Sequence, residues 1–217
     1  MDTDRKWVIV RIDGKIAGVS TDYRVLARIS AQLAASTYSP QTGNGQKKAL
    51  KHDAGSAGLY GELTATAVGL DEIWNLRRSI KWDDLMLFGT EFQKTVWRKL
   101  WELTHPEDSA GTEADTPRLI SYSDFAELCQ NRAGVRAVAH AIGLNPISVI
   151  IPCHLVIPKE SVDKIKEIHK KAEATIFKGD DLCIDSILND NAIDFGEYSM
   201  GRRLKRELIM LDLGTRP

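Results

Sequence analysis

The sequence predicts an α/β N-terminal domain with a small antiparallel sheet, followed by a mostly α C-terminal domain with a winged-helix-like helix-turn-helix. Three observations predict this fold class: a hairpin pattern near the N-terminus, amphipathic helical spacing in the second half, and two short helices joined by a brief break. A length of 217 residues suits one large domain or two small ones. We place the two domains at residues 1–88 and 89–217.

The N-terminal domain begins with a predicted β-hairpin. Apolar and β-branched residues predict strands over 7–11 and 15–20, and Asp13-Gly14 between them is a strong signal for a tight turn. Farther along we predict a helix over 22–35, a long loop over 36–61, a second helix over 63–78 and a strand over 85–88.

The C-terminal domain has a different pattern, in which apolar residues recur at helical spacing. Ser121 is placed to cap a helix, with Asp124 three residues later as a variant of the capping box. In chain order we predict a helix over 90–103, a polar loop over 104–117, a helix from Ser121, a break at 130–133 and a helix over 134–142. A last helix over 200–213 combines an apolar face with a basic face formed by Arg202, Arg203, Lys205 and Arg206.

Charge and composition exclude several classes of protein. The 29 basic and 30 acidic residues leave a net charge of −1, so any binding to DNA must come from a local surface. The cysteines at 129, 153 and 183 form no CxxC, and the histidines show no ligand spacing, so we expect no metal site. Without a long apolar segment or a secretory signal pattern, we expect no membrane association and a cytoplasmic location, or a nuclear one in a eukaryote.

Cys153 is the thiol most suited to chemistry, because it ends an apolar run over 147–151 and precedes His154. A cysteine reacts as the thiolate, and a neighbouring histidine can accept its proton if a carboxylate fixes the imidazole tautomer. Taken alone, the pair also fits a buried packing cysteine. The candidates for the carboxylate are Glu197, Glu207 and Asp212.

The segment over 145–157, NPISVIIPCHLVI, resembles the active-site signature of the O6-alkylguanine-DNA alkyltransferases, also called methylated-DNA–protein-cysteine methyltransferases. Four further segments agree with that family in order: GTEFQKTVW at 89–97, Ser121-Tyr122, Arg136-Ala137-Val138, and Tyr198-Ser199-Met200-Gly201 before the basic helix. The resemblance covers residues 89–158 and 196–217 and is weaker over 1–88.

The resemblance implies direct reversal of DNA alkylation damage. The family flips the damaged base out of duplex DNA and moves the alkyl group from O6 of guanine irreversibly onto its own cysteine. It inserts its recognition helix into the minor groove and uses no cofactor. We therefore expect double-stranded DNA containing O6-alkylguanine as the partner, a single-turnover enzyme, and a monomer.

The resemblance also assigns roles at the site. Cys153 would accept the alkyl group, His154 would deprotonate it through water, and Asp212 would orient the histidine. Asn145 would hold the active-site turn, and Tyr122 would donate a hydrogen bond to the base or its phosphate. Val156, Tyr198 and Ser199 would line the base pocket, Arg136 would enter the stack in place of the flipped nucleotide, and Ala137 would face the groove as a small residue.

The sequence departs from the family pattern at four places. Leu155 stands where the family has arginine, and His140 stands where it has a small residue. Asp212 replaces a glutamate and is one methylene shorter, so its contact with the histidine must shift, pass through water or be lost. An insertion over 159–195, with 6 basic and 9 acidic residues, has a net charge of −3. We expect it to loop outward, and the alternatives are a gate, a change in alkyl range or a partner site.

Three other functions fit parts of the sequence. A lesion-binding protein of the same fold would bind without transferring, although retention of Cys153 argues against it. A helix-turn-helix regulator would read sequence in the major groove, which the small residues of the second helix disfavour. A cysteine hydrolase would need an oxyanion hole, for which the sequence contains no clear donor motif.

Overall fold

The computed structural model describes residues 5–21, 27, 29, 31, 63–105, 119–174 and 193–213. Of the helix predicted over 22–35, only Ala27, Ile29 and Ala31 belong to these ranges, and all three are helical. The loop predicted over 36–61 and most of the loop predicted over 104–117 lie outside the described residues.

The predicted hairpin is confirmed. β1 (Trp7–Ile12) pairs antiparallel with β2 (Lys15–Ser20), and Ile12 faces Lys15 across the turn. Asp13 and Gly14 both have positive φ, 51° and 76°. This conformation matches the twist of two adjacent strands, and aspartate and glycine adopt it at low cost.

The helix predicted over 63–78 is wrong in its first six residues. β3 (Leu63–Val68) is a strand that pairs antiparallel with β1 along its whole length, so the sheet order is β2-β1-β3. The alternating threonines and alanines lack a strong strand signal, and pairing with β1 decides their conformation. Gly69 ends the strand, and α1 (Leu70–Ser79) follows.

The strand predicted over 85–88 is also wrong. A 3₁₀ turn occupies Trp82–Asp84, and Leu85 forms a single parallel bridge with Ile16. The backbone N–H of Met86 donates to the carbonyl of Ile16 at 2.8 Å. The segment therefore runs beside β2 without extending the sheet. Met86 and Phe88 pack against a small cluster of Ile12, Ala17 and Ile29, whereas Leu85 and Leu87 join the main hydrophobic cluster.

The predicted helices of the second half are present. α2 (Glu91–Glu102) begins at Thr90, whose hydroxyl accepts from the N–H of Gln93 while the Gln93 side chain accepts from the N–H of Thr90. α3 (Tyr122–Leu128) begins at Ser121, whose hydroxyl accepts from the N–H of Asp124 at 3.0 Å. A 3₁₀ turn (Arg132–Gly134) then leads into α4 (Val135–Gly143).

α2 and α4 are fixed to each other through a buried tryptophan. The indole N–H of Trp97 donates to the carbonyl of Ala141 at 2.9 Å. Trp97 is fully buried beside Val138 and Ala141 in the main hydrophobic cluster. The second helix of the helix-turn-helix therefore has a defined position on the core.

The two ends of the insertion pack against the protein, whereas residues 175–192 between them lie outside the described residues, so the expected outward loop is untested there. Two short strands, β4 (Ile120–Ser121) and β5 (Val156–Ile157), pair in parallel, and α5 (Lys159–Ala174) leads away from β5. The apolar face of α5 finds partners on α6 (Arg202–Asp212) and on the segment before it. This second cluster consists of Ile157, Val162, Ile165, Ile193, Phe195 and Ile209.

The main hydrophobic cluster has members from both sides of the predicted boundary at 88/89. Trp7 and Val19 of the sheet belong to it, and so do Trp97 and Ile147. A hydrogen-bonded link adds to this packing, because β2 binds the segment that precedes Cys153. The N–H of Val19 donates to Pro146 O at 2.9 Å, and the N–H of Ser148 donates to Val19 O at 3.0 Å.

In the parts of the chain that the structure describes, none of the helices has the length and apolar character needed to cross a lipid bilayer.

The reciprocal cap of α2 gives a test of the fold. Thr90→Ala removes the hydroxyl that satisfies the N–H of Gln93, and we expect the free energy of unfolding to fall by about 1 kcal/mol. Thr95→Ala is the matched control, since Thr95 lies within the same helix and is exposed. Urea denaturation should show a change below about 0.5 kcal/mol for the control. Equal losses for the two variants would contradict the capping role.

Candidate active site

Asn145 organises the turn that leads to Cys153. Its side-chain amide donates to Ile151 O at 2.8 Å and to Cys153 Sγ at 3.1 Å. Its side-chain oxygen accepts from the N–H of Ile147 at 3.0 Å. Asn145 is buried, so these three contacts fix the path of the chain on both sides of the thiol.

The apolar run over 147–151 is a folded turn. Val149 has φ 72°, a left-handed conformation that a β-branched side chain adopts at a cost of about 1–3 kcal/mol. The side chains of the run are fully buried, and the N–H of Ile151 donates to Ile147 O at 2.9 Å. Burial and the hydrogen bonds to β2 hold this strained backbone in place.

Cys153 begins a short 3₁₀ turn (Cys153–Leu155) and is buried. Burial raises the pKa of its thiol, and this effect exceeds the opposing effects of the hydrogen bonds to Asn145 and Tyr198 and of the charge of Lys205. The resting residue is therefore a neutral thiol. A reaction that needs the thiolate must supply a base.

His154 and Asp212 form a buried pair. Nε2 of His154 lies 2.5 Å from Oδ2 of Asp212, and both side chains are at most 3% exposed. The shorter aspartate thus reaches the histidine directly, which excludes the expected water-mediated or lost contact. Nδ1 is buried and accepts no hydrogen bond from any residue in the described ranges.

The environment favours an ionised aspartate beside a neutral imidazole. Burial lowers the pKa of His154, and the charges of Arg77 and Lys205 lower it further against the opposing effect of Asp212. For Asp212, burial raises the pKa, but His154 and Arg77 together outweigh burial and lower it. An ionised Asp212 accepts the Nε2 proton, so the lone pair of the imidazole is on Nδ1.

Arg77 is a site residue that sequence reasoning missed. Nη1 of Arg77 lies 3.1 Å from Oδ1 and 3.2 Å from Oδ2 of Asp212, with both side chains under 8% exposed. The guanidinium also lies 5.0 Å from the ring of Trp74. An arginine within a charged stretch of helix gives no signal of burial, so only the folded structure, in which Arg77 of α1 reaches Asp212 of α6, reveals the contact.

Lys205 is the second missed residue, and its assignment to a basic surface was wrong. Its Nζ donates to Val156 O at 2.7 Å and, over 3.4 Å, to Tyr122 Oη and Glu197 O. Burial lowers the pKa of Lys205 to about 8. The spacing of Lys205, Leu208 and Asp212 along α6 places them on one helical face, which is the signal that could have identified it.

The two predicted tyrosines lie near the thiol and Lys205. Tyr198 Oη is 3.9 Å from Cys153 Sγ. Tyr122 is half-buried, and its ring centroid lies 5.5 Å from Lys205 Nζ. Burial raises the pKa of both hydroxyls, so both are neutral donors at pH 7.

The remaining predicted residues divide between core and surface. Val156 is fully buried, whereas Ser199 is exposed beside Tyr198. Arg136 and Ala137 lie on the exposed face of α4, and His140 is exposed on the same helix. The structure therefore gathers the thiol, base and carboxylate in the interior and leaves the predicted DNA-contacting residues on the surface.

Comparisons with known proteins identify a family model and several relatives that are similar to this chain. Residues 113–174 match the family model described as the DNA binding domain of 6-O-methylguanine DNA methyltransferase. A probable methylated-DNA–protein-cysteine methyltransferase of Acanthamoeba polyphaga mimivirus is 41% identical over 78 residues, which are 36% of this chain and 45% of that protein. The methylated-DNA–protein-cysteine methyltransferase of Haemophilus influenzae is 39% identical over 72 residues, 33% of this chain and 34% of that protein.

The chain spans less than half the length of these two curated relatives. A crystal structure of Mycobacterium tuberculosis OGT in complex with DNA aligns over 68% of this chain and 67% of that chain, with 25% identity and a TM-score of 0.41. The sequence matches confirm the resemblance to the alkyltransferase family. The matched segment 113–174 contains Tyr122, Arg136 and Cys153.

The buried lysine gives a testable dependence of stability on pH. The pKa of Lys205 falls from 10.5 in the unfolded chain to about 8, so the unfolded state binds more protons between these values and stability from this group rises with pH. We expect the unfolding free energy of the wild type, minus that of Lys205→Met, to increase by about 2 kcal/mol from pH 7 to pH 9.5.

The matched control is Arg203→Met, on the same helix with a side chain that is 81% exposed. Its difference from the wild type should stay constant over the same range in urea denaturation. If the difference in unfolding free energy between the wild type and Lys205→Met is also constant with pH, folding does not lower the pKa of Lys205.

Proposed function

We propose that this chain repairs alkylated DNA by moving an alkyl group from O6 of guanine to the sulfur of Cys153. The observation that supports this best is a buried thiol, held by Asn145, whose neighbour His154 is paired to a buried Asp212. Such a set can generate a thiolate without exposing it to solvent. A surface interaction module would have no use for a buried base of this kind.

The transfer is a displacement at the alkyl carbon. The Cys153 thiol gives its proton to Nδ1 of His154 through a water molecule, and the thiolate forms a sulfur–carbon bond as the carbon–O6 bond breaks. The electron pair of the broken bond goes to the guanine, which takes up a proton from Tyr122 or from water. The thioether is stable, so each molecule reacts once and needs no cofactor or metal.

Lys205 and Tyr122 assist the departure of the guanine. Because Tyr122 Oη accepts a hydrogen bond from Lys205, its own proton remains available to the base or to a phosphate. The charge of Lys205 also lowers the pKa of Cys153. Val156, Tyr198 and Ser199 would line the pocket for the flipped base.

The DNA partner is duplex containing O6-alkylguanine, approached from the minor groove. Small side chains such as Ala137 on the exposed face of α4 suit a narrow groove, and Arg136 can fill the space of the flipped nucleotide.

In this proposal residues 89–217 form the winged-helix-like domain, and residues 1–88 form the α/β domain. The protein acts as a monomer in the cytoplasm or nucleus.

Two departures from the family pattern are compatible with transfer. Leu155 is fully buried and adds apolar contact where the family has an arginine. Asp212 contacts His154 directly. The exposed position of His140 on α4 leaves it facing solvent, where it can contact the sugar-phosphate wall.

The direct test is mass spectrometry after the protein is mixed with a duplex that contains one O6-methylguanine. We expect one added methyl group per protein, mapped to Cys153, and none in Cys153→Ala. The half-buried Cys129, whose pKa burial raises to about 11, gives the matched control Cys129→Ala, which should still react fully. Selective binding to the lesion without added mass would point to a lesion-binding protein. If the protein shows neither added mass nor selective binding, the proposal is contradicted altogether.

Arg136 provides a separate test of base flipping. We expect Arg136→Ala to slow methyl transfer from duplex DNA by about 10–100-fold, because unstacking the base costs a few kcal/mol that the guanidinium partly offsets. Transfer from single-stranded DNA should change much less. Arg132→Ala, at an 85% exposed position just before α4, is the control and should leave both rates nearly unchanged. A uniform loss on both substrates would assign Arg136 to phosphate binding.

A further inference from the structure

We propose that Arg77 is a positioning residue of the active site, which holds the Asp212 carboxylate so that His154 remains a neutral base. The inference rests on the proposed function, since it concerns the histidine that would deprotonate Cys153. It assigns part of the machinery to the N-terminal half of the chain, where the family resemblance is weakest and from which no catalytic group is predicted.

Two hydrogen-bond donors, Arg77 and His154, hold the Asp212 carboxylate in a fixed orientation. Arg77 Nη1 lies within 3.2 Å of both oxygens of Asp212, and His154 Nε2 lies 2.5 Å from Oδ2. A carboxylate held by a guanidinium at both oxygens cannot rotate freely. Its Oδ2 therefore stays directed at the imidazole N–H, which fixes the tautomer.

Arg77 makes two contacts besides its ion pair with Asp212. Its guanidinium lies over Trp74 at 5.0 Å, and its backbone carbonyl is 3.0 Å from Nε2 of His105. The His105 ring stacks on Trp101 with centroids 3.5 Å apart. These contacts connect α1 to the end of α2, so the arginine that faces Asp212 belongs to a rigid part of the core.

The charge of Arg77 matters as well as its geometry. Among the described residues, the titratable groups around the His154–Asp212 pair are Arg77 on α1, Lys205 on α6, and the neutral Cys153 and Tyr198. An ionised Asp212 without Arg77 would favour a protonated His154, because the two would form a buried ion pair. A protonated histidine cannot accept the thiol proton, so Arg77 preserves the base at neutral pH.

The test compares methyl transfer rates as a function of pH in the full-length protein. Arg77→Gln keeps a hydrogen-bond donor and removes the charge, and we expect transfer at pH 7 to slow by about 10–100-fold. The midpoint of the acid limb, where the rate falls as His154 gains a proton, should move to higher pH. Arg78→Gln, the exposed neighbour on the same helix, should match the wild type.

Arg77→Lys separates charge from folding. It retains the positive charge, so the midpoint of the acid limb should stay near that of the wild type even if the rate falls. A lower rate at every pH with an unmoved midpoint in Arg77→Gln would indicate a merely structural role and overturn the inference. If Arg77→Gln does not fold, the Arg77→Lys profile decides the question. A shift of one pH unit in the midpoint of its acid limb would overturn the inference about Arg77.

A double-mutant cycle tests whether Arg77 acts through Asp212. In an Asp212→Asn background, we expect Arg77→Gln to change the transfer rate by less than about twofold, because the carboxylate it holds is gone. Two independent, multiplicative losses would contradict the inference.

A second readout distinguishes this inference from the proposed function. The ring of His154 can be titrated by nitrogen NMR without any DNA, and its midpoint should rise in Arg77→Gln. If the wild type transfers no methyl group but the His154 midpoint rises in Arg77→Gln, the proposed function is refuted and the role of Arg77 stands. Normal transfer with no change in the His154 midpoint would refute the role of Arg77 alone.

Discussion

The burial of an ionised carboxylate is the constraint on which the rest of the site depends. Asp212 is removed from water, and a buried charge without partners would cost several kcal/mol. The imidazole N–H of His154 and the guanidinium of Arg77 pair with the buried charge of Asp212. This arrangement leaves the basic nitrogen of His154 as Nδ1, next along the chain to a buried thiol that requires a base.

The N-terminal half contributes to this site in two ways. Through β2 it binds the strained turn at Val149, so that the thiol and Asn145 keep their positions. Through α1 it supplies Arg77. The sheet and the helix therefore support the chemistry of the C-terminal half. The hydrophobic cluster that contains both Trp7 and Trp97 holds the two halves together.

The predictability of the chain follows from the range of the interactions involved. The hairpin at Asp13-Gly14 and the helix starts at Thr90 and Ser121 depend on neighbours within three residues, and local sequence predicts them. β3 could not be predicted because its conformation depends on pairing with β1, which is distant in sequence.

The same distinction holds within the site. The motif around Cys153 predicts the thiol, the histidine and the asparagine, because these residues share one short segment. Asp212 depends on the family resemblance, since it is far along the chain. Arg77 carries no such signal, because long charged side chains are usually solvated. For Lys205 the only signal is its helical spacing with Leu208 and Asp212, and the charged residues beside it hide that signal.

The most direct test of His154 as the base for Cys153 is the nitrogen NMR spectrum of its ring in the wild-type protein at pH 7. Selective isotopic labelling and comparison with His154→Gln assign the signals. We expect a neutral imidazole with its proton on Nε2 and an unprotonated Nδ1. An imidazolium, or a proton on Nδ1, would leave Cys153 without a base and contradict the role assigned to His154.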